Sequence, residues 1–176
     1  MTRTPGRSTV FLQPGQYFVG TGCRVRTLLG SCVSITLWHP RLRVGAMSHF
    51  LLWSRRSSGQ AVDGALDGRY GDEVLSLMQQ QLAALGVRSG DCEGKLFGGG
   101  DMFPAQSTGN GNGGIGQRNG SAARAMLQAQ GIRLVSESLF GVGHRQIDFD
   151  LATGNVLSRQ IPPNSTLGAA HCQAAA

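Results

Sequence analysis

The 176 residues, 40% of them apolar, suit one globular domain large enough to fold without disulfide or metal staples. Twenty-seven glycines and only 15% charged residues argue against a helical bundle, a coiled coil or a disordered chain. The net charge of +6 comes from fifteen scattered arginines and Lys95 against ten acids; without a basic stripe or interleaved aromatics it argues against nucleic acid as a partner.

Residues 1–8 read as a flexible tail with no apolar core of a secretory signal. No apolar run approaches the ~18–20 residues of a membrane span, so membrane insertion is not expected. Cys23, Cys32, Cys92 and Cys172 form no paired spacing, which suits a reducing, cytoplasmic compartment. Short β-rich runs follow at residues 10–12, 17–19 and 23–29. Over residues 32–38, Val33, Ile35 and Leu37 alternate with smaller or polar residues, the period of a half-buried strand. Pro40 marks a turn and residues 44–53 read as the returning strand of a hairpin. A loop rich in Ser, Gly and Arg spans residues 54–69. The spacing of Val74, Leu77, Met78, Leu82 and Leu85 then predicts a helix over residues 70–85, stopped by Gly86.

Residues 95–97 predict a short buried strand running into Gly98, Gly99 and Gly100. The nine glycines of residues 98–120 predict a flexible loop, and residues 121–130 a second helix ended by Gly131. Three strands, at residues 132–137, 145–151 and 156–161, close a single α/β domain over residues 9–161. Residues 162–176 read as a loose tail.

Among chemical motifs, the Gly-rich loop lacks the GK[ST] of a phosphate cradle. Cysteine and histidine spacings do not match structural zinc, so no metal is expected. Cys32 and His49 are different. With the hairpin turn centred on Pro40–Arg41, opposed residue numbers sum to 81, and these two would face each other with Cβ atoms about 4.5–5.5 Å apart. A thiol beside an imidazole can become a thiolate–imidazolium pair, which lowers the Cys pKa from about 8.5 and makes a nucleophile. Gly30 and Ser31 allow a sharp strand entry whose backbone N–H groups would serve an oxyanion.

These residues carry a resemblance. TLLGSCVSITLWHP followed by VGAMSHFLLW resembles the CheD family, the chemoreceptor glutamine deamidases of bacterial chemotaxis. The likeness continues through RYGDEVLSLMQQQLAALG, KLFGGGDMF, IGQRN, GIRLVSESLFG and GHRQIDFDLATGNVLSRQI. It implies a single-domain, three-layer α/β/β sandwich, similar to thiol hydrolases that reach a papain-like Cys–His pair on another fold. It implies a cysteine hydrolase that converts receptor Gln side chains to Glu through a thioester, without metal or organic cofactor. The family's nucleophile maps onto Cys32 and its base onto His49. Its third member, a Thr, maps onto Thr27, one residue beyond the family position, where this chain has Arg26. Asn119 in IGQRN is either a substrate contact or the N-cap of the second helix. The implied partners are methyl-accepting chemotaxis receptors and a CheC-type phosphatase, for a protein monomeric on its own. A non-catalytic binding module and a receptor glutamate methylesterase are the competing functions.

Overall fold

A computed structural model describes residues 8–59, 64–104 and 114–163. The expected tails, apart from Ser8, Pro162 and Pro163, and the centre of the Gly-rich segment lie outside the described residues. The chain is mixed α/β, with nine strands in two sheets and two α-helices among the described residues. The strands are β1 Thr9–Phe11, β2 Tyr17–Thr21, β3 Arg24–Leu29, β4 Val33–His39, β5 Val44–Ser48, β6 Glu93–Gly98, β7 Arg133–Leu139, β8 His144–Asp150 and β9 Val156–Ile161. One sheet has the order β1-β3-β8-β9 and the other β2-β5-β4-β6-β7. The helices are α1 Gly71–Ala84 and α2 Ile115–Ala129. No helix among the described residues is long and apolar enough to cross a membrane.

Two apolar cores follow from strand alternation. On β4 and β5 the residues Val33, Ile35, Leu37 and Ala46 join Leu96, the α1 residues Val74, Met78 and Leu82, and the α2 residues Ala123 and Leu127. The opposite side chains of the same sheet, Met47 and Phe97, join Val25, Leu29, Ile147 and Phe149 of the other sheet. A two-residue period thus serves both faces of the central sheet, one against helices and one against strands.

The α1 stripe is Val74, Leu75, Met78 and Leu82, while Leu85 is exposed because it caps the helix rather than continuing it. Asp72 and Glu73 in its first turn suit the positive end of the helix dipole, and Gly86 takes the left-handed conformation that ends it. Helix α2 starts at Ile115, six residues before the expected start. Two of the glycines that suggested a loop, Gly116 and Gly120, instead lie on its buried face: a Cβ on Gly116 would stand 2.6 Å from the Gly100 carbonyl oxygen. The expected flexible loop is therefore closely packed backbone at both of its described ends.

The hairpin is real, but its register differs from expectation. Thr36 opposes Met47 and Leu37 opposes Ala46, so opposed numbers sum to 83. The turn is four residues long, with the Arg43 N–H donating to the His39 carbonyl at 2.8 Å and Arg43 at φ +52°. The turn centre moves one residue beyond the expected one, because the left-handed kink falls at Arg43 and not beside Pro40. A shift of two in the sum preserves parity, so Cys32 and His49 keep the same face. They become diagonal rather than directly opposed neighbours, a relation that spans about 7–8 Å between residues.

Candidate active site

Strand parity aims the candidate residues between the two sheets. In β3, Val25, Thr27 and Leu29 point inward, while Arg26 points outward and its Nε donates to Asp148 at 2.7 Å. Thr27, not the position of Arg26, is therefore the one able to reach the histidine. His49 follows the end of β5 and is held at the backbone: its N–H donates to the Gln16 carbonyl at 2.9 Å and its carbonyl accepts from Gly15 N–H at 2.7 Å. The ladder opens just before it, where Ser48 Oγ accepts from the Ile35 N–H at 3.1 Å.

Two short hydrogen bonds fix the tautomer of His49. Thr27 Oγ1 lies 2.7 Å from the Leu12 carbonyl oxygen and 2.7 Å from His49 Nδ1. A carbonyl can only accept, so the single hydroxyl proton of Thr27 goes to Leu12. The bond to His49 must then run the other way, with Nδ1–H donating to Thr27 Oγ1. Nε2 is left with its lone pair free, which is the state a general base requires.

The electrostatics differ from the sequence expectation of a thiolate–imidazolium pair. His49 is 3% exposed, and burial pushes its pKa down to about 4, with a hydrogen bond to the Leu12 backbone pulling the other way. Cys32 is half-buried, and burial pushes its thiol up, opposed by its own backbone N–H. Both shifts favour neutral partners. No hydrogen bond joins the Cys32 sulfur to His49 in this resting arrangement, a looseness common before substrate arrives.

The backbone around the thiol is tightly held. The Gly30 carbonyl accepts from Gly100 N–H at 2.9 Å, and the Cys32 carbonyl accepts from Gly99 N–H at 2.8 Å. The Ser31 carbonyl accepts from Asn119 Nδ2 at 3.0 Å. Asn119 lies inside α2, fully buried, and the N-cap is Gly114, so the capping reading of Asn119 does not hold. Helix α2 begins earlier than the sequence suggested, which moves Asn119 from its edge to its buried face. A cleft of about 720 Å³ opens beside Ser31, walled by Met102, Phe103, Ile115, Phe140 and Val142.

One residue of this region escaped the sequence reading. Arg145 is buried, and its guanidinium donates to the carbonyls of Gly98 and Phe140, both at 3.1 Å, beneath the cleft. Its parity with Ile147, Phe149 and Leu151 was the available signal. His39 is buried in the structure and its Nδ1 accepts from Leu42 N–H at 3.2 Å, while His144 opens β8. Among the described residues no group of three His, Cys, Asp or Glu side chains is placed to hold a metal ion.

The structure is thus a mixed α/β protein with a half-buried thiol and a tautomer-fixed histidine near the space between its two sheets. Comparison with known proteins places it more closely. Residues 54–160 match the family described as CheD chemotactic sensory transduction. That match begins beyond Cys32 and His49, whereas the curated relatives cover nearly the whole chain. A probable chemoreceptor glutamine deamidase CheD 2 from Albidiferax ferrireducens is 54% identical over 94% of this chain and 95% of its own. Similar proteins from Dechloromonas aromatica, 46% identical over 84% of both chains, and Pseudomonas syringae pv. tomato, 40% identical over 92% of this chain and 95% of its own, carry the same kind of name. The chain belongs to the CheD family.

Proposed function

We propose that this protein is a chemoreceptor glutamine deamidase, a thiol-dependent amidohydrolase acting on Gln side chains of methyl-accepting chemotaxis receptors. The relatives' names support the activity. The observation that carries the assignment of residues is the Leu12–Thr27–His49 relay, because it leaves His49 Nε2 as a base on the face that Cys32 shares.

The chemistry runs from a neutral pair. As Cys32 Sγ bonds to the side-chain carbonyl carbon of Gln, the thiol proton passes to His49 Nε2. Thr27 Oγ1 accepts from Nδ1–H throughout and steadies the imidazolium that forms, as the third group of a triad does. The N–H groups of Ser31 and Cys32, on the segment that Gly99, Gly100 and Asn119 hold, are the donors that would receive the oxyanion. Gly30 lets the strand approach Met102, since a Cβ there would lie 3.0 Å from its sulfur. Collapse of the intermediate breaks the C–N bond, and His49 returns its proton to the departing ammonia. Water, deprotonated by His49, hydrolyses the thioester to Glu and regenerates the thiol. No metal or organic cofactor enters these steps.

The reading includes a three-layer α/β/β arrangement of the thiol-hydrolase kind, which the two apolar cores support. It also includes a cytoplasmic protein, monomeric alone, that shares its receptor-binding surface with a CheC-type phosphatase. The domain runs over residues 9–161. Mass spectrometry of a receptor helical peptide incubated with the protein tests the activity: Gln should become Glu with wild type and not with Cys32→Ala. Loss of methyl ester from a methylated peptide, with Gln untouched, would replace the deamidase reading by a methylesterase.

A further inference from the structure

Cys32 lies among three consecutive backbone carbonyls, each with a different hydrogen-bond donor. Gly30 and Cys32 are held by backbone N–H groups of Gly100 and Gly99, which any sequence able to adopt that path would supply. Ser31 alone is held by a side chain. The same Asn119 amide uses its second N–H on the Leu51 carbonyl, at 2.8 Å. Leu51 is two residues past His49, so one NH₂ group ties the segment of the thiol to the segment of the base. Asn119 is fully buried, and its Oδ1 has no partner among the described residues. A buried carbonyl oxygen left unpaired is costly, so this residue is not optimised for stability alone.

We infer that Asn119 is a positioning residue that sets the direction of the Cys32 N–H and locks the nucleophile segment to the base segment. The peptide plane whose carbonyl Asn119 grips is the one that carries the Cys32 N–H. Because that plane is rigid, fixing the oxygen on one side fixes the N–H on the other. A donor aimed in advance stabilises an oxyanion without reorganisation at the moment of reaction. This inference rests on the thiol chemistry of the preceding section, but not on the receptor being the substrate.

The test separates those two. Cys32 is acylated with p-nitrophenyl acetate and, in parallel, alkylated with iodoacetamide. Acylation forms the Sγ–C bond, expels p-nitrophenolate, passes the thiol proton to His49 and proceeds through an oxyanion. Alkylation displaces iodide and develops no oxyanion. In Asn119→Ala, acylation should fall by about 10–100-fold, short of the roughly 100–1,000-fold that follows outright loss of an oxyanion donor, while alkylation stays within about threefold. On receptor peptide kcat should fall with KM held. Asn119→Asp gives an independent readout, because a buried carboxyl facing two carbonyls has its pKa raised and regains a donor when protonated. Its acylation deficit should shrink as pH drops from 8 to 6, a trend absent from wild type.

Equal loss of acylation and alkylation, no loss of either, or a rise in KM with kcat intact would overturn the inference. A deficit in Asn119→Asp independent of pH would do the same, and that variant decides the matter if Asn119→Ala does not fold. A wild type that acylates normally yet leaves receptor Gln untouched would overturn the deamidase reading alone.

Discussion

Thr27 has one proton and two neighbours that want it, and the carbonyl of Leu12 takes it. Thr27→Val should therefore leave His49 free to adopt the wrong tautomer, lowering kcat by about 10–100-fold with little change in KM. Thr27→Ser keeps the hydroxyl and should retain most activity; steady-state deamidation of a receptor peptide distinguishes the two. His49 itself predicts an acid limb in stability. Its pKa is near 4 in the folded protein and about 6.5 when unfolded, so only the unfolded chain gains a proton as pH falls below 6.5. The stabilisation is complete above pH 6.5 and is lost as pH falls towards 4, to a total of about 3 kcal/mol. Denaturant unfolding at pH 7 and pH 4.5 should show a smaller difference in His49→Gln than in wild type. Equal differences would mean that burial does not hold the imidazole neutral.

At the scale of elements, the glycines just after β6 and at the start of α2 replace what side chains do elsewhere. Gly99, Gly100 and Gly116 bring two backbones together so that α2 can present Asn119 to the nucleophile segment. Gly116→Ala should destabilise by about 1–3 kcal/mol, as overpacking does, and lower activity more than Ala substitution at exposed Arg124 on the same helix. Equilibrium denaturation and deamidation rates measure both. The sequence could not reveal this helix start, because glycine signals a loop and a close helix approach with the same letter. It did reveal the alternation: Val33, Ile35 and Leu37 line one face of β4, and a register sum shifted by two keeps the parity of Cys32 and His49. The register was not legible. It depended on where the left-handed residue of the turn fell, and Arg43 is not a residue whose type announces that conformation.

Across the whole molecule, charge is distributed rather than clustered, and much of it is internally paired: Arg26 with Asp148, Arg55 with Glu73, Arg69 with Asp67, Arg124 with Glu137. The excess of +6 would give long-range attraction to a receptor helix that carries acidic side chains. Raising salt until the Debye length falls from about 10 Å to about 3 Å should lower kcat/KM several-fold and leave kcat unchanged. A salt-independent kcat/KM would remove the steering argument. The candidate residues were legible because family motifs surround them. The Leu12 carbonyl was not, since a backbone group belongs to no motif; Asn119 was legible in IGQRN, but not its reach to the Ser31 and Leu51 carbonyls.

The position of β3 has a consequence for how the protein comes into being. Thr27 sits opposite Ile147, so the strand that supports it is paired along its whole length with β8 and only briefly with β1. During synthesis Cys32 and His49 leave the ribosome with most of the chain still to be made. The hairpin that carries them can close early, because its contacts are local. The support for Thr27 must wait for residues 144–150. A nascent chain arrested before β8 should thus show a Cys32 that alkylates without discrimination and acylates poorly, and reactivity should sharpen as that strand emerges.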